Sequence, residues 1–539
     1  MLRLEPFRLA VRLLLLFLSV AFAEAHQSNQ EATAAPQLGQ VNFRTSCAAN
    51  AQPLIETGVA LLHSFQYQQA GQSFSEALKR DPHCAMAHWG QAMSRYEQLW
   101  EFPSAKTLQQ GAEEIKRAEA MGAATPRERG YLAAARAFYL GDATLGETER
   151  LKAYSAALAA LRQLAPEDVN ATAFYALSLV ALAEQQEVDV QANLKAAIAI
   201  LDPLGHAAPL NPGPAHYLIH ATDRPEFAAQ GLEAARAYAR IAPDSSHALH
   251  MPSHIFVRLG LWQESIASNI VASASAAKAT REHRSAPHYQ FHALDFLNYS
   301  YLQSGQESKA RQVVVDLPSV PGADQESIAE HQAWFAARNA FELHRWKEAA
   351  SLPIPHIPRS SQESIYRVRA IGAARSGDLG AARRNLQKFV ETSAEEQQKE
   401  HPHHRDKAPD KSVRQLEVEA WVALAAGKHD EAVKALRSAA DSEDSDGVDS
   451  LAMPAREMLA DMLLELKRPA EALTEYQSAL KNSPKRFDSL YGALRAARDS
   501  GDRASAVLYE TNLAAICAPG ADRPEIADAK STQSASKQQ

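Results

Sequence analysis

The sequence predicts an all-α protein, an α-solenoid built from antiparallel helix pairs. Ala and Leu recur throughout the 539 residues, whereas Gly is low at 23 and β-branched runs are scarce. This composition favours helices over a large sheet. Amphipathic helices follow one another in pairs from about residue 51. A chain of this length exceeds one ordinary core, unless it is an array that grows by stacking such pairs.

The N-terminus has the pattern of an export signal, which we place at residues 1–25. Arg3, Arg8 and Arg12 precede the apolar run LLLLFLSVAFA, which suits a signal peptide and is too short to span a bilayer. Residues 26–45 are polar and lack an apolar period, so they predict a disordered lead. We therefore expect a periplasmic or extracellular protein, with no stable membrane insertion after the signal is removed.

Two of the three cysteines, Cys47 and Cys84, lie near the start of the predicted mature chain. In an oxidising compartment they suit a disulfide that ties the entry segment to the first helices. Two buried thiols are the alternative, and both interpretations stay open. No CxxC or CxxCH motif is present, so redox-motif and haem-attachment interpretations have no support.

The second helices of the pairs carry a recurring pattern. Ala70 and Phe74 precede Pro82, which ends the helix, and this order of small residue, aromatic and Pro resembles the tetratricopeptide repeat. Similar turns followed by a helix recur in RLGLWQESIASNIV, ARSGDLGAARRNLQKFV, LAAGKHDEAVKALRSAA and LELKRPAEALTEYQSALKNSP. The resemblance implies stacked repeats with a concave groove that binds a protein or peptide partner.

Shifts in composition divide the rest of the chain into four segments. Residues 46–390 are predicted to form the tetratricopeptide-like solenoid. Residues 391–411 are predicted to be a charged linker, because helix-breaking residues interrupt them. Residues 412–518 contain the C-terminal repeats. The Ser-, Lys- and Gln-rich residues 519–539 predict a disordered tail.

Seven histidines lie in three short segments, HYLIHATD, HALHMPSH and HYQFHALD. The first and third share the pattern His-x3-His-x2-Asp, which places three side chains along one stripe of a helix. The candidate site residues are His216, His220 and Asp223, then His247, His250 and His254, then His288, His292 and Asp295.

The segments recur at the repeat period. His216 and His250, like His220 and His254, are 34 residues apart, and equivalent positions of stacked repeats lie on helices whose axes are about 8–10 Å apart. We expect His220, His254, His288 and His292 to face a common space. Pro252 should kink or interrupt the central helix.

Three interpretations of this patch remain open. The histidines can be half-buried groove residues that bond backbone or Asp. They can bind a divalent ion, Zn²⁺ or Cu²⁺, with Asp223 and Asp295 as ligands or as partners that orient a His. They can also act as general bases beside an Asp. The catalytic residues stay unknown, because HExxH, P-loop, GxGxxG and GxSxG motifs are absent.

The segments GVALLHSF, DPHCAMAHWG, HYLIH and HALHMPSHIF resemble a group of exported bacterial tetratricopeptide repeat proteins. The resemblance implies a fold and an exported setting but no activity. The net charge of −8 argues against nucleic acid as a partner, because binding its backbone needs a basic excess. We therefore expect an exported scaffold for a protein or peptide partner. The alternative is a divalent-metal-binding protein or metalloenzyme that uses the His/Asp patch.

Overall fold

The computed structural model divides into two units, Met1–Gln37 and Leu38–Gln539, and the second contains the helices described below. The predicted signal peptide, residues 1–25, lies outside the described residues. The described ranges are 36–99, 102–141, 145–185, 189–400, 411–447 and 451–536.

The described part is helical throughout and contains no strand, which confirms the predicted all-α class. The first thirteen helices are α1 (Gln52–His63), α2 (Tyr67–Arg80), α3 (Ala85–Met93), α4 (Ala105–Met121), α5 (Pro126–Tyr139), α6 (Glu147–Leu164), α7 (Val169–Ala183), α8 (Val190–Ala207), α9 (Pro212–Thr222), α10 (Leu232–Ile241), α11 (Ser246–His250), α12 (Pro252–Arg258) and α13 (Trp262–Arg281). The others are α14 (His288–Gln303), α15 (Glu307–Asp316), α16 (Gln325–Glu342), α17 (Trp346–Ala350), α18 (Arg359–Arg375), α19 (Leu379–Glu400), α20 (Val413–Ala425), α21 (His429–Asp446), α22 (Ala455–Glu465), α23 (Pro469–Asn482), α24 (Phe487–Ser500), α25 (Arg503–Ile516) and α26 (Glu525–Ser536).

Successive helices along the chain pack against one another, and most of the connections between them are short. Short connections make neighbouring helices antiparallel. Their ends follow ordinary capping rules. Helix α5, for example, begins with a capping box in which the Thr125 hydroxyl and the Glu128 carboxylate bond each other's backbone N–H, with Pro126 in the first turn.

The turn that joins the two helices of a pair repeats one backbone conformation, with a residue in the left-handed region. Glycine adopts this conformation without steric cost. It is found at Gly260, Gly305, Gly377, Gly427 and Gly501, and also at the larger residues Phe65, His344 and Lys467. The regular recurrence of this turn marks the boundaries of the pairs. Helix α11 with α12, and helix α14, precede the turns at Gly260 and Gly305 and are therefore first helices of consecutive pairs. Helix α9 packs against α12 and takes the corresponding place in the pair before them.

The predicted disordered lead, residues 26–45, is wrong for its described C-terminal portion. Leu38 and Phe43 are buried, and the Phe43 ring stacks on Trp89 with ring centroids 5.3 Å apart. These isolated apolar residues have no helical period, so the sequence pattern did not show that they pack.

The predicted linker and tail are also partly helical. Helix α19 runs on to Glu400, because SAEEQQKE consists largely of good helix formers; residues 401–410 lie outside the described part. In the tail, α26 follows Arg523, which is buried and pairs with the Asp488 carboxylate at 2.7 and 3.2 Å. That ion pair ties the segment to α24.

Some contacts join helix pairs that are far apart in sequence. The Tyr289 hydroxyl donates to the Phe65 carbonyl at 2.8 Å, and the Trp262 indole N–H donates to the Lys485 carbonyl at 2.9 Å. No helix among the described residues has the length and hydropathy needed to cross a membrane.

Cys47 and Cys84 form a disulfide. Replacing both by alanine is expected to lower the free energy of unfolding by about 2–4 kcal/mol, because the cross-link restricts the unfolded chain. Denaturant unfolding measures this loss. A reducing agent should destabilise the wild type and leave the double variant unchanged; equal stability of the two proteins under oxidising conditions would contradict the prediction.

Candidate metal-binding site

The histidines of the patch come from three neighbouring first helices. His216 and His220 lie on α9, and His292 lies on α14. Pro252 separates α11, which ends at His250, from α12; this is the predicted interruption. It arises because Pro lacks the N–H that a continuing helix would use.

One group of three, here called triad 1, consists of His216, His220 and His247. The Nε2 atom of His216 lies 3.0 Å from Nε2 of His247 and 3.1 Å from Nε2 of His220. The ligand nitrogens of the triad all lie within 4.8 Å of one another. Three imidazole nitrogens therefore converge on one small space.

The tautomer of His216 follows from its other nitrogen. Its Nδ1 lies 2.6 Å from the His63 carbonyl oxygen, which can only accept, so Nδ1 carries the proton and Nε2 bears a lone pair. That lone pair can accept a hydrogen bond from either neighbouring Nε2, but not from both. The two neighbouring Nε2 atoms therefore compete for one lone pair.

The second group, triad 2, consists of His250, His254 and His292. Its ligand nitrogens also lie within 4.8 Å of one another, and Nε2 of His250 is 3.1 Å from Nε2 of His254. The ring centroids of His250 and His292 are 4.3 Å apart. His292 is exposed, so triad 2 reaches solvent at this residue.

In triad 2, hydrogen-bond partners outside the triad determine the tautomers of His250 and His254. The His250 Nδ1 donates to Asn269 Oδ1 at 2.7 Å, and the Asn269 amide is oriented by its own bond to the Ser265 carbonyl. The His254 Nδ1 donates to the Asp223 carboxylate at 2.8 Å. When both rings are neutral, both Nε2 atoms therefore lack a proton, and their 3.1 Å contact cannot be a hydrogen bond. Two lone pairs face the same point.

Asp223 is the charged partner of this arrangement. Arg258 Nε donates to the second carboxylate oxygen of Asp223 at 2.9 Å. Burial alone would raise the pKa of Asp223, but the Arg258 guanidinium and the His254 ring hold it well below its usual value. The carboxylate is ionised at neutral pH and keeps the proton of His254 on Nδ1.

The remaining histidines of the triads stay neutral at pH 7. Burial, followed by the neighbouring imidazoles, lowers the pKa of His220 to about 3 and holds the pKa values of His216, His247 and His250 well below the usual range. The pKa of His292 falls to about 4 through desolvation by the surrounding residues and repulsion from His254, although part of the side chain is exposed.

A phenylalanine ring covers one side of each triad. Phe65, from the turn between α1 and α2, lies over triad 1 with ring centroids 4.4 to 5.7 Å from its three imidazoles. Phe296 packs on triad 2 at 4.5 to 5.3 Å. Both phenylalanines are buried, and they exclude water from one side of each group.

Three of the nine candidate residues lie outside both triads, and one of them, Asp223, bonds His254 of triad 2. Asp295 pairs with Arg338 at 2.5 Å, and the exposed ring of His288 packs on Tyr289 with centroids 4.0 Å apart. The expectation that His288 faces the common space is therefore corrected. It precedes His292 by one turn and projects from the first position of α14, beyond the cluster.

Acid is expected to destabilise the protein through its buried histidines. Burial lowers the pKa of His63 to about 4, although the hydrogen bond to Asn170 and the charge of Asp168 raise it. Histidine in the unfolded chain has a pKa near 6.5. Between these values the unfolded state takes up protons that the folded state does not, so stability falls as pH falls through this window. Thermal unfolding from pH 7.5 to 4.5 measures the slope. The His63→Gln variant should have a shallower slope, and a melting temperature that is constant from pH 7 to 5 would contradict the prediction.

Comparison with known proteins gives the class. Residues 418–487 match a family model described as tetratricopeptide repeat, whereas no curated protein matches the chain. Similar solved structures include the TPR domain of P58(IPK), with 14% identity, 84% of this chain and 99% of that chain covered, and a TM-score of 0.21. A monomeric IFIT1 mutant with Gppp-AAAA has 12% identity, coverage of 88% and 96%, and a TM-score of 0.33.

With such TM-scores, neither structure supports an argument about this chain. The family match assigns residues 418–487 to the tetratricopeptide repeat, as the repeat pattern predicts for the C-terminal repeats. Tetratricopeptide repeats generally bind proteins or peptides.

Proposed function

We propose that this protein is an exported metal-binding protein, in which the helix pairs hold the imidazoles of triad 1 and triad 2 around transition-metal ions. The observation that carries the proposal is the contact between His250 and His254, whose Nε2 atoms lie 3.1 Å apart while both Nδ1 atoms donate elsewhere. A cation that accepts both lone pairs relieves their repulsion.

The chemistry of the donors indicates the class of ion. Neutral imidazole suits Zn²⁺ and Cu²⁺, and two nitrogens at about 2.0–2.1 Å from a tetrahedral ion lie about 3.3 Å apart, close to the spacing in triad 2. Outer partners that fix the tautomer, such as Asp223 for His254, are typical of metal-binding histidines. Three protein ligands leave one coordination position open, as in catalytic zinc sites.

Two observations support the exported setting. The N-terminal residues have the composition of a signal peptide, and the Cys47–Cys84 disulfide suits an oxidising compartment. An exported protein would take its metal from the periplasm or the medium.

Metal analysis of protein purified without a His tag tests the proposal. We expect bound metal after purification and, for chelator-stripped protein, a rise in melting temperature when Zn²⁺ or Cu²⁺ is added. At an ion concentration 100 times Kd the stabilisation amounts to about 2.7 kcal/mol. Absence of bound metal, together with unchanged melting in the presence of either ion, would contradict metal binding.

A second candidate function is docking of a peptide, which is typical of tetratricopeptide repeats. The observation that favours it is a cavity of about 310 Å³ lined by Trp334, Arg338, Arg367 and Met453, among others. Trp334 is 37% exposed there, whereas Arg338 and Arg367 are paired with Asp295 and Glu417. The exposed indole ring is therefore the group that suits an aromatic side chain of a peptide.

Binding of labelled aromatic peptides, measured by fluorescence anisotropy, tests this second function. Trp334→Ala should weaken binding, whereas replacement of His250 and His254 should not. Absence of binding by any such peptide, or equal binding by the Trp334 variant, would remove the cavity as a peptide site.

A further inference from the structure

We propose that the histidine patch is a two-ion centre, with one ion in triad 1 and a second in triad 2. This inference rests on the proposed metal binding and specifies its stoichiometry. It begins from the division of the six imidazoles, whose ligand nitrogens fall into two groups of three rather than one group of six. A single ion bound by all six would require every pair of nitrogens within about 4.2 Å, twice the metal–nitrogen distance.

The two groups are adjacent but separately built. Rings of different triads approach at His220 and His254, whose centroids are 6.3 Å apart, and at His247 and His250, at 6.4 Å. One chain segment supplies both groups, since His247 of α11 belongs to triad 1, whereas His250 of α11 and His254, beyond the break at Pro252, belong to triad 2.

Triad 1 is covered by an aromatic side chain, Phe65, from the turn of the first helix pair. Phe65 is buried over its three rings and holds a left-handed backbone, with φ of 52°, a conformation that is uncommon for a large residue. Several other pairs place Gly at this turn. The Tyr289 hydroxyl donates to the Phe65 carbonyl, so a residue of α14 positions the turn that covers triad 1.

The charges around the triads predict the order of filling. The Asp223 carboxylate bonds His254 of triad 2 and offsets part of the charge of an ion there. In triad 1, the His216 ring is oriented by the neutral His63 carbonyl. Since two cations repel each other in a buried site, the first ion should enter triad 2, and the second should bind triad 1 with lower affinity.

Zinc titration of the full-length, metal-stripped protein at pH 7 tests the inference, with bound zinc counted by elemental analysis after gel filtration. Each triad has a variant at a side chain that is not fully buried: His220→Ala for triad 1 and His292→Ala for triad 2. The matched control is His288→Ala, one turn from His292 on the same helix and outside both triads. Circular dichroism establishes that each variant is folded.

The expected result is two zinc ions per wild-type chain and two for His288→Ala. The His220 variant should retain one ion at the higher of the two wild-type affinities. The His292 variant should retain one at an affinity between the two, because triad 1 then binds its ion without repulsion from an ion in triad 2. A wild type that binds one ion, lost on mutation of either triad, would overturn the two-ion centre while leaving metal binding intact. A wild type that binds none would overturn the proposed function itself.

Discussion

Replacing His250 and His254 together with alanine is expected to lower the affinity for the first zinc ion by more than about 100-fold. Loss of an outer partner alone typically weakens metal binding by about 10–100-fold, and this change removes two direct donors. Competition with a chromophoric chelator at pH 7 measures the affinity. His429→Ala, an exposed histidine at the start of α21, should bind zinc like the wild type.

The Asp223→Asn variant tests the same site with a milder change than the double alanine variant. The amide oxygen can still accept from the His254 Nδ1, but the negative charge beside Arg258 is gone. We expect a loss of about 10–100-fold, smaller than that of the double variant. If the double variant bound zinc as tightly as the wild type, triad 2 would not be the site of the first ion.

Arg486→Ala is expected to lower the free energy of unfolding by about 3–5 kcal/mol, the cost of leaving buried charges without their partner. Arg486 is fully buried and donates to Glu457 at 2.7 and 3.0 Å, to Glu342 at 2.6 Å and to the Tyr299 hydroxyl at 2.8 Å. Removing Arg486 leaves the buried carboxylates of Glu342 and Glu457 without this cationic partner. Urea unfolding at pH 7 measures the change.

The matched control is Arg503→Ala, because Arg503 is exposed at the start of α25. An exposed substitution of this kind stays within about 0.5 kcal/mol of the wild type. Equal stability of the two variants would show that the buried ion cluster contributes nothing to folding.

The spacing of the histidines was sufficient to predict which helices meet. A separation of 34 residues puts His216 and His250 at equivalent positions of stacked repeats, and the i, i+4 spacing of His216 and His220 puts both on one helix face. The structure brings His216 and His220 together, and likewise His250 and His254, while His216 meets His247 of the neighbouring pair rather than His250. The repeat period and the helical period are both properties of the sequence itself, so they can be recognised without a structure.

The roles of the acidic residues could not be predicted in this way. Asp223 and Asp295 occupy equivalent places in the same His-x3-His-x2-Asp pattern, yet the first orients His254 and the second pairs with Arg338 of α16. The difference depends on which basic residue the neighbouring pair presents. A pattern within one helix carries no information about that neighbour.

The groups that orient and cover the imidazoles also come from outside the histidine segments. The carbonyl that fixes His216 belongs to His63, and the wall over triad 1 is Phe65, both about 150 residues earlier in the chain. Their placement depends on how the first helix pair packs on later ones. Without an alignment or a structure, no local signal in GVALLHSF indicates this contact.

The bonds between distant turns bear on how the chain unfolds. In an open repeat array each unit touches only its neighbours, so the ends can fray independently of the middle. Here the Tyr289–Phe65 and Trp262–Lys485 bonds each join residues more than 220 positions apart, so releasing the first pair also uncovers later helices. Amide hydrogen exchange in α1 should therefore be nearly as slow as in α14, as in a cooperatively folding globular domain.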